Sequence, residues 1–150
     1  MKHFYKLISI LLLSVCLAHA DNKPADLWSY DYSATLKKSK VTGKPALVYF
    51  SGSNWCGFCK RLNSEILSTE EFKTFARENF ELVNLDFPRP APENDRNYEL
   101  NVWLKEQHGV VGFPAILIMD GDGVILGKTG YQNKGTGELI ATLRRIISRQ

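Results

Sequence analysis

Ala46-Leu47-Val48-Tyr49-Phe50 is an unbroken apolar run of strand length. A strand with one face in water alternates apolar and polar residues, so an unbroken run belongs to a sheet covered on both sides. Ala115-Ile116-Leu117-Ile118-Met119 is a second run of the same kind. Two such strands need helices against either face, and the intervening segments carry helical patterns. The fold class read from the chain is therefore α/β, a central mixed β-sheet flanked by helices on both faces.

Leu27 to Tyr30 can form a first strand, and Asp31 can cap a helix to about Lys40 that ends at Gly43 and Pro45. After Gly57, the spacing of Phe58, Leu62 and Ile66 marks a helix face. Ser68-Thr69-Glu70-Glu71 reads as a capping box opening a helix to Asn79, and Phe80 to Phe87 as the next strand. Pro88, Pro90 and Pro92 force an extended loop. A helix is expected from about Asn94 to His108, with Leu100, Trp103 and Leu104 on one side and Gly109 at its end. Asp120-Gly121-Asp122-Gly123 reads as a hairpin turn into a strand over Val124 to Leu126. Leu139, Ile140, Leu143, Ile146 and Ile147 form the apolar face of a last helix. Trp28, Tyr49 and Trp103 are expected in the core.

The first twenty residues obey a different logic. Lys2 and Lys6 precede the apolar stretch Leu7 to Leu17, and Ala18-His19-Ala20 has the small-x-small pattern that signal peptidase accepts. That stretch is shorter than the roughly 20 apolar residues of a spanning helix. Cleavage after Ala20 is expected, leaving residues 21–150 as one domain. A retained membrane anchor is the first alternative. A lipoprotein joined through Cys16 is the second, although Val15 stands where a small residue would be needed. Removing the segment lowers Lys+Arg from 19 to 17 against 16 Asp+Glu, so the formal charge falls from +3 to +1. That balance gives no electrostatic reason to expect nucleic acid. Arg144, Arg145 and Arg149 gather at the end of the last helix, where cations suit its dipole.

Cleavage also removes Cys16 and leaves Cys56 and Cys59. A disulfide closing so small a ring takes little entropy from the unfolded chain, so the pair is badly placed for architecture. It is well placed for chemistry. Cys56 falls just ahead of a helix, where unpaired N–H groups and the positive end of the dipole favour a thiolate. Cys59, one turn on, can reach a sulfur held on Cys56. The expected cycle is attack by Cys56, a mixed disulfide, and resolution by Cys59. Metal binding is the rival reading. Zinc would need two further ligands, and the cleaved chain keeps His108 as its one histidine. Covalent haem would need histidine where Lys60 stands. No metal and no cofactor are expected, and His108 reads as a capping or surface residue.

Trp55-Cys56-Gly57-Phe58-Cys59-Lys60 after one apolar strand, and Gly109-Val110-Val111-Gly112-Phe113-Pro114-Ala115 before another, together resemble the thioredoxin superfamily. The resemblance covers nearly all of residues 21–150. Its spacing and the Pro-rich insertion look most like the exported, single-domain thioredoxin-like proteins of bacterial envelopes, of the DsbH type. It implies a thioredoxin fold, a redox-active disulfide between Cys56 and Cys59, and a cis bond at Phe113-Pro114 that sets the Phe113 backbone beside Cys56. Without it, Pro114 reads as an ordinary trans residue opening an edge strand. Trp55, Gly57, Phe58, Phe113 and Pro114 would form the substrate-binding surface, with the Phe113 main chain pairing with a substrate strand. The resemblance further implies a periplasmic location, disulfide-containing protein substrates and a membrane electron donor of the DsbD type. No dimerisation domain is evident in the sequence, so a monomer is expected.

The sequence also departs from that pattern. Thioredoxins proper carry a buried Asp in the strand before the motif. Allowing one inserted residue in Ser51-Gly52-Ser53-Asn54, Tyr49 occupies that position, and Leu82 stands where the partnering Lys would be. Water or Glu65 is left to handle the proton. Gly57-Phe58 also lacks the histidine of strongly oxidising relatives, which tilts the expected direction toward disulfide reduction. A disulfide oxidase or isomerase, and a non-catalytic peptide-binding module of the same fold, are the alternatives.

Overall fold

A computed structural model describes residues 27–149, so the expected signal segment and its cleavage site lie outside the described residues. The elements follow in the order α1 Tyr32–Thr42, β1 Ala46–Ser51, α2 Gly57–Leu62, α3 Glu70–Asn79, β2 Glu81–Asp86, α4 Arg96–Gln107, β3 Ala115–Met119, β4 Ile125–Gly130 and α5 Thr136–Ile147. A π-helical turn over Asn63–Leu67 continues α2, closed by the Ser68 N–H donating to the Asn63 carbonyl at 2.9 Å. Among the described residues no helix is long and apolar enough to cross a membrane.

The sheet order is β2-β1-β3-β4, with β2 parallel to β1 and the other pairs antiparallel. The two unbroken apolar runs are its central strands, paired from Ala46↔Met119 to Phe50↔Ala115. Leu47, Tyr49, Ile116 and Ile118 point to one face, where Leu62 and Ile66, Phe72 and Phe75 of α3, and Leu139 and Leu143 of α5 cover them. Val48, Phe50, Leu117 and Met119 point to the other, beneath Tyr32 and Leu36 of α1 and Leu104 of α4. Both faces are thus closed, as unbroken runs require. Each fully buried Leu, Ile or Phe contributes about 1.5–3 kcal/mol of transfer free energy.

Several local expectations need correction. Leu27 to Tyr30 forms no strand of its own and meets the sheet at a single parallel bridge, Ser29↔Val83. Thr69 rather than Ser68 caps α3, its hydroxyl accepting the Phe72 N–H at 3.2 Å. The capping box is therefore absent, because the residue three beyond the cap is Phe72. Asp95 caps α4 by accepting from Asn97 and Tyr98, and the helix starts at Arg96. β4 runs past Leu126 to Gly130. Trp103, expected in the core, is 54% exposed, because α4 turns Tyr98, Leu100, Val102 and Leu104 toward the sheet. Phe58 does not share the buried face of Leu62 and Ile66 and is 59% exposed.

His108 is the C-cap of α4 and half-buried, and its carbonyl accepts from Lys128 Nζ at 3.0 Å. Its Nε2 is buried without a partner among the described residues. Burial, helped by the charge of Lys128, holds the imidazole pKa below its ordinary value. The unfolded chain then takes up a proton that the folded chain refuses. Stability from this source is complete above the unfolded value of about 6.5 and is lost as pH falls below it. Urea unfolding at pH 7.5 and 5.5 checks this: the midpoint of the native protein should fall more than that of a His108→Gln variant. An equal fall in both would remove the imidazole as the cause.

Candidate active site

β1 ends at Ser51, and a tight turn carries the chain from the sheet to α2. The turn is closed by Trp55 and Cys56 N–H groups donating to the Gly52 carbonyl at 3.3 and 2.8 Å. Gly52 is required by close approach, since a Cβ there would lie 2.6 Å from the Trp55 indole. Asp86, at the end of β2, holds the turn from below. Its Oδ1 accepts from the Ser53 N–H at 2.8 Å and the Ser51 hydroxyl at 3.1 Å, and its Oδ2 accepts from the Ser53 hydroxyl at 2.6 Å. The motif is thus fixed to the two strands that precede and flank it.

Cys56 is the N-cap of α2. Its sulfur accepts the Cys59 N–H at 3.2 Å, one of the donors a helix start leaves unpaired. The two cysteines are joined as a disulfide, with Cα atoms 5.2 Å apart. Both cysteines are buried, Cys59 at 2% exposure and Cys56 at 6%, and each has exposed neighbours, Trp55 and Gly57 around Cys56 and Phe58 and Lys60 around Cys59. What separates the two is position, with the Cys56 sulfur at the helix start and Cys59 inside the first turn. Donors and dipole at the helix start stabilise negative charge on the Cys56 sulfur.

The Phe113-Pro114 bond is cis. Phe113 is half-buried and meets the Trp55 ring edge-on at 5.8 Å, bringing the second sequence block against the first. Phe87 closes the cluster, its ring 4.9 Å from that of Phe113 and its carbonyl accepting the Trp55 indole N–H at 2.7 Å. Phe58 lies on the other flank, with its ring 6.0 Å from Tyr131. The candidate substrate-binding residues therefore divide into a Trp55-Phe113 wall beside Pro114 and a Phe58-Tyr131 flank, with exposed Gly57 between Cys56 and Phe58.

A cleft of about 330 Å³ opens beside Cys59, lined by Tyr49, Ser51, Lys60, Asn63 and Asn84 among others. Tyr49, in the position expected for a carboxylate, donates its hydroxyl to the Cys59 carbonyl at 3.4 Å. Burial, with the charge of Asp86 behind it, raises the phenol pKa far above its ordinary value, so Tyr49 stays protonated and cannot accept a proton. Glu65 is engaged elsewhere. It accepts from the Tyr131 hydroxyl at 2.6 Å and from Arg61 at 3.1 Å, and these bonds hold its pKa below the usual carboxylate value. It does not line the cleft beside Cys59, which is polar and large enough for water. Among the described residues no three His, Cys, Asp or Glu side chains gather as metal ligands.

A thioredoxin-like domain profile matches residues 32–146. The chain belongs to the thioredoxin-like family. Its four-stranded mixed sheet with helices on both faces is the thioredoxin fold. The chain is 32% identical over 123 residues to the disulfide bond reductase DsbH of Chlamydia pneumoniae, an alignment spanning 82% of this chain and 74% of that protein. The thioredoxin-related protein DsbJ of the same organism is 29% identical over 137 residues, covering 88% of this chain but 39% of DsbJ. A solved structure of a DsbH oxidoreductase superposes with a TM-score of 0.76 at 30% identity, covering 82% of this chain and 85% of that one.

Sequence reasoning missed what surrounds this thioredoxin-like motif. A second cis bond, Arg89-Pro90, lies in the Pro-rich loop. Asn54 joins that loop to the motif, and Arg89 lies over Trp55. The three prolines announced a loop of fixed shape, but no local signal said where it would dock.

Proposed function

We propose that the protein is a periplasmic thiol–disulfide oxidoreductase that reduces disulfides of exported proteins. The observation that carries this is the disulfide between Cys56, the N-cap of α2, and Cys59, one turn inside the same helix. The similarity to DsbH, named a disulfide bond reductase, supports the direction of electron flow. So does the Gly57-Phe58 interior, which places no histidinium beside the thiolate. The Cys56 thiolate attacks a substrate disulfide, forming a mixed disulfide and releasing one substrate thiolate. Cys59 loses its proton and attacks the Cys56 sulfur. The second substrate thiolate leaves, and the Cys56–Cys59 disulfide forms. Trp55, Gly57, Phe58, Phe113 and Pro114 hold the substrate, with the Phe113 main chain pairing with an extended segment. Residues 1–20 direct export and are removed after Ala20, and residues 21–150 work as a monomer. A membrane donor of the DsbD type returns two electrons to the pair.

The reduction potential tests the direction. Equilibrium titration against glutathione or dithiothreitol should place the pair near the value of about −270 mV typical of thioredoxin. A value near the roughly −120 mV of a strong oxidant would instead assign the protein to disulfide formation.

A further inference from the structure

The Pro-rich loop after β2 is docked on the motif by one residue. Asn54 Nδ2 donates to the Arg89 carbonyl at 2.8 Å, and Asn54 Oδ1 accepts the Arg89 N–H at 3.1 Å. A single side chain from the turn before Cys56 thus holds both main-chain polar groups of Arg89. The guanidinium then lies 3.7 Å from the centroid of the Trp55 ring. Trp55 cannot move away, because its indole N–H is bonded to Phe87 and its ring abuts Phe113.

This geometry leaves Arg89 with a fixed position and, among the described residues, no counter-ion. A guanidinium stacked on an aromatic face keeps its edge donors available, and they match a carboxylate in pairs. Arg89 is exposed, and among the described residues it has no ion-pair partner. Asp86, three residues before it, is committed to the Ser51–Ser53 turn, and exposed Glu93, four residues beyond it, forms no ion pair with it. An apolar wall next to the reactive sulfur is therefore edged with unpaired positive charge held in place.

We propose that Arg89 is a specificity-determining residue that makes the site prefer disulfides flanked by Asp or Glu in the partner polypeptide. The inference rests on the oxidoreductase reading above and deepens it. The stack on Trp55 and the Asn54 clamp order the side chain in advance, so a partner carboxylate meets a cation with little rotamer freedom left to lose. Charge at an exposed rim acts on encounter and on modest pair energies, and salt screens both.

The test compares two disulfide-closed peptides that differ only in carrying Glu or Gln beside each cysteine. With the native protein at low salt, kcat/KM should favour the Glu peptide by about threefold to tenfold. That preference should shrink toward unity near 0.5 M salt. Arg89→Gln should bring the Glu/Gln ratio close to one, Arg89→Glu should invert it, and Arg89→Lys should retain most of it. A native ratio of one, or the same ratio in Arg89→Gln as in the native protein, overturns the proposal. Equal losses on both peptides in Arg89→Gln also overturn it, since they assign the stack a purely structural role. If the native protein reduces neither peptide, the oxidoreductase reading itself fails, which is a distinguishable result.

Discussion

The Cys56→Ser variant is expected to lose insulin disulfide cleavage by about a thousandfold or more, whereas Cys59→Ser should retain the first attack and stall after it. The two sulfurs differ in place, and the asymmetry follows. Cys56 sits at the helix cap, where donors and dipole favour its thiolate, so its loss removes the attacking atom. Cys59 lies one turn inside the helix, with its Cα 5.2 Å from that of Cys56. Without it the mixed disulfide on Cys56 has no internal attacker, and substrate proteins should stay linked to the enzyme on non-reducing gels. Accumulation of such adducts with Cys56→Ser instead of Cys59→Ser would reverse the assigned roles.

The second large effect concerns stability. Phe50→Ala should destabilise the fold by about 3–5 kcal/mol, a large part of the 5–15 kcal/mol typical of a domain. Phe50 is fully buried at the end of the central strand, its ring 6.4 Å from Phe87. Removing it leaves a cavity that a sheet packed on both faces cannot close. The same cavity loosens Phe87, whose carbonyl anchors the Trp55 indole, so activity should decline before global unfolding. Trp103→Ala is the contrast. Exposed on α4, it should change stability by no more than about 0.5 kcal/mol despite its size. Denaturant midpoints of the two variants decide between these expectations, and a large loss at Trp103 would place that ring in the core after all.

That contrast marks what the sequence could convey. Unbroken apolar runs specify strands covered on both faces, because no other placement hides every side chain, and both such runs are the central strands of the sheet. The cysteine pair was equally legible, since its spacing has one sensible place at the head of a helix. Trp103 was misplaced for a physical reason. Apolar spacing says which residues could share a face, but the angle at which a helix meets the sheet decides which of them are covered. Ser68 and Thr69 offer the same hydroxyl one residue apart, and the π-helical turn before them chooses Thr69 as the cap. The Asn54 clamp joins residues separated by the whole of α3 and β2, so no local pattern could announce it.

β2 is an outer strand, and a ladder rim left open invites a neighbouring molecule to pair with it. Here Ser29 plugs that rim, its N–H donating to the Leu82 carbonyl and its carbonyl accepting the Asn84 N–H, both at 2.9 Å. The few residues ahead of α1 thus act as a stopper against edge-to-edge aggregation. A shortened protein beginning at Asp31 would keep the redox pair yet surrender its solubility guard.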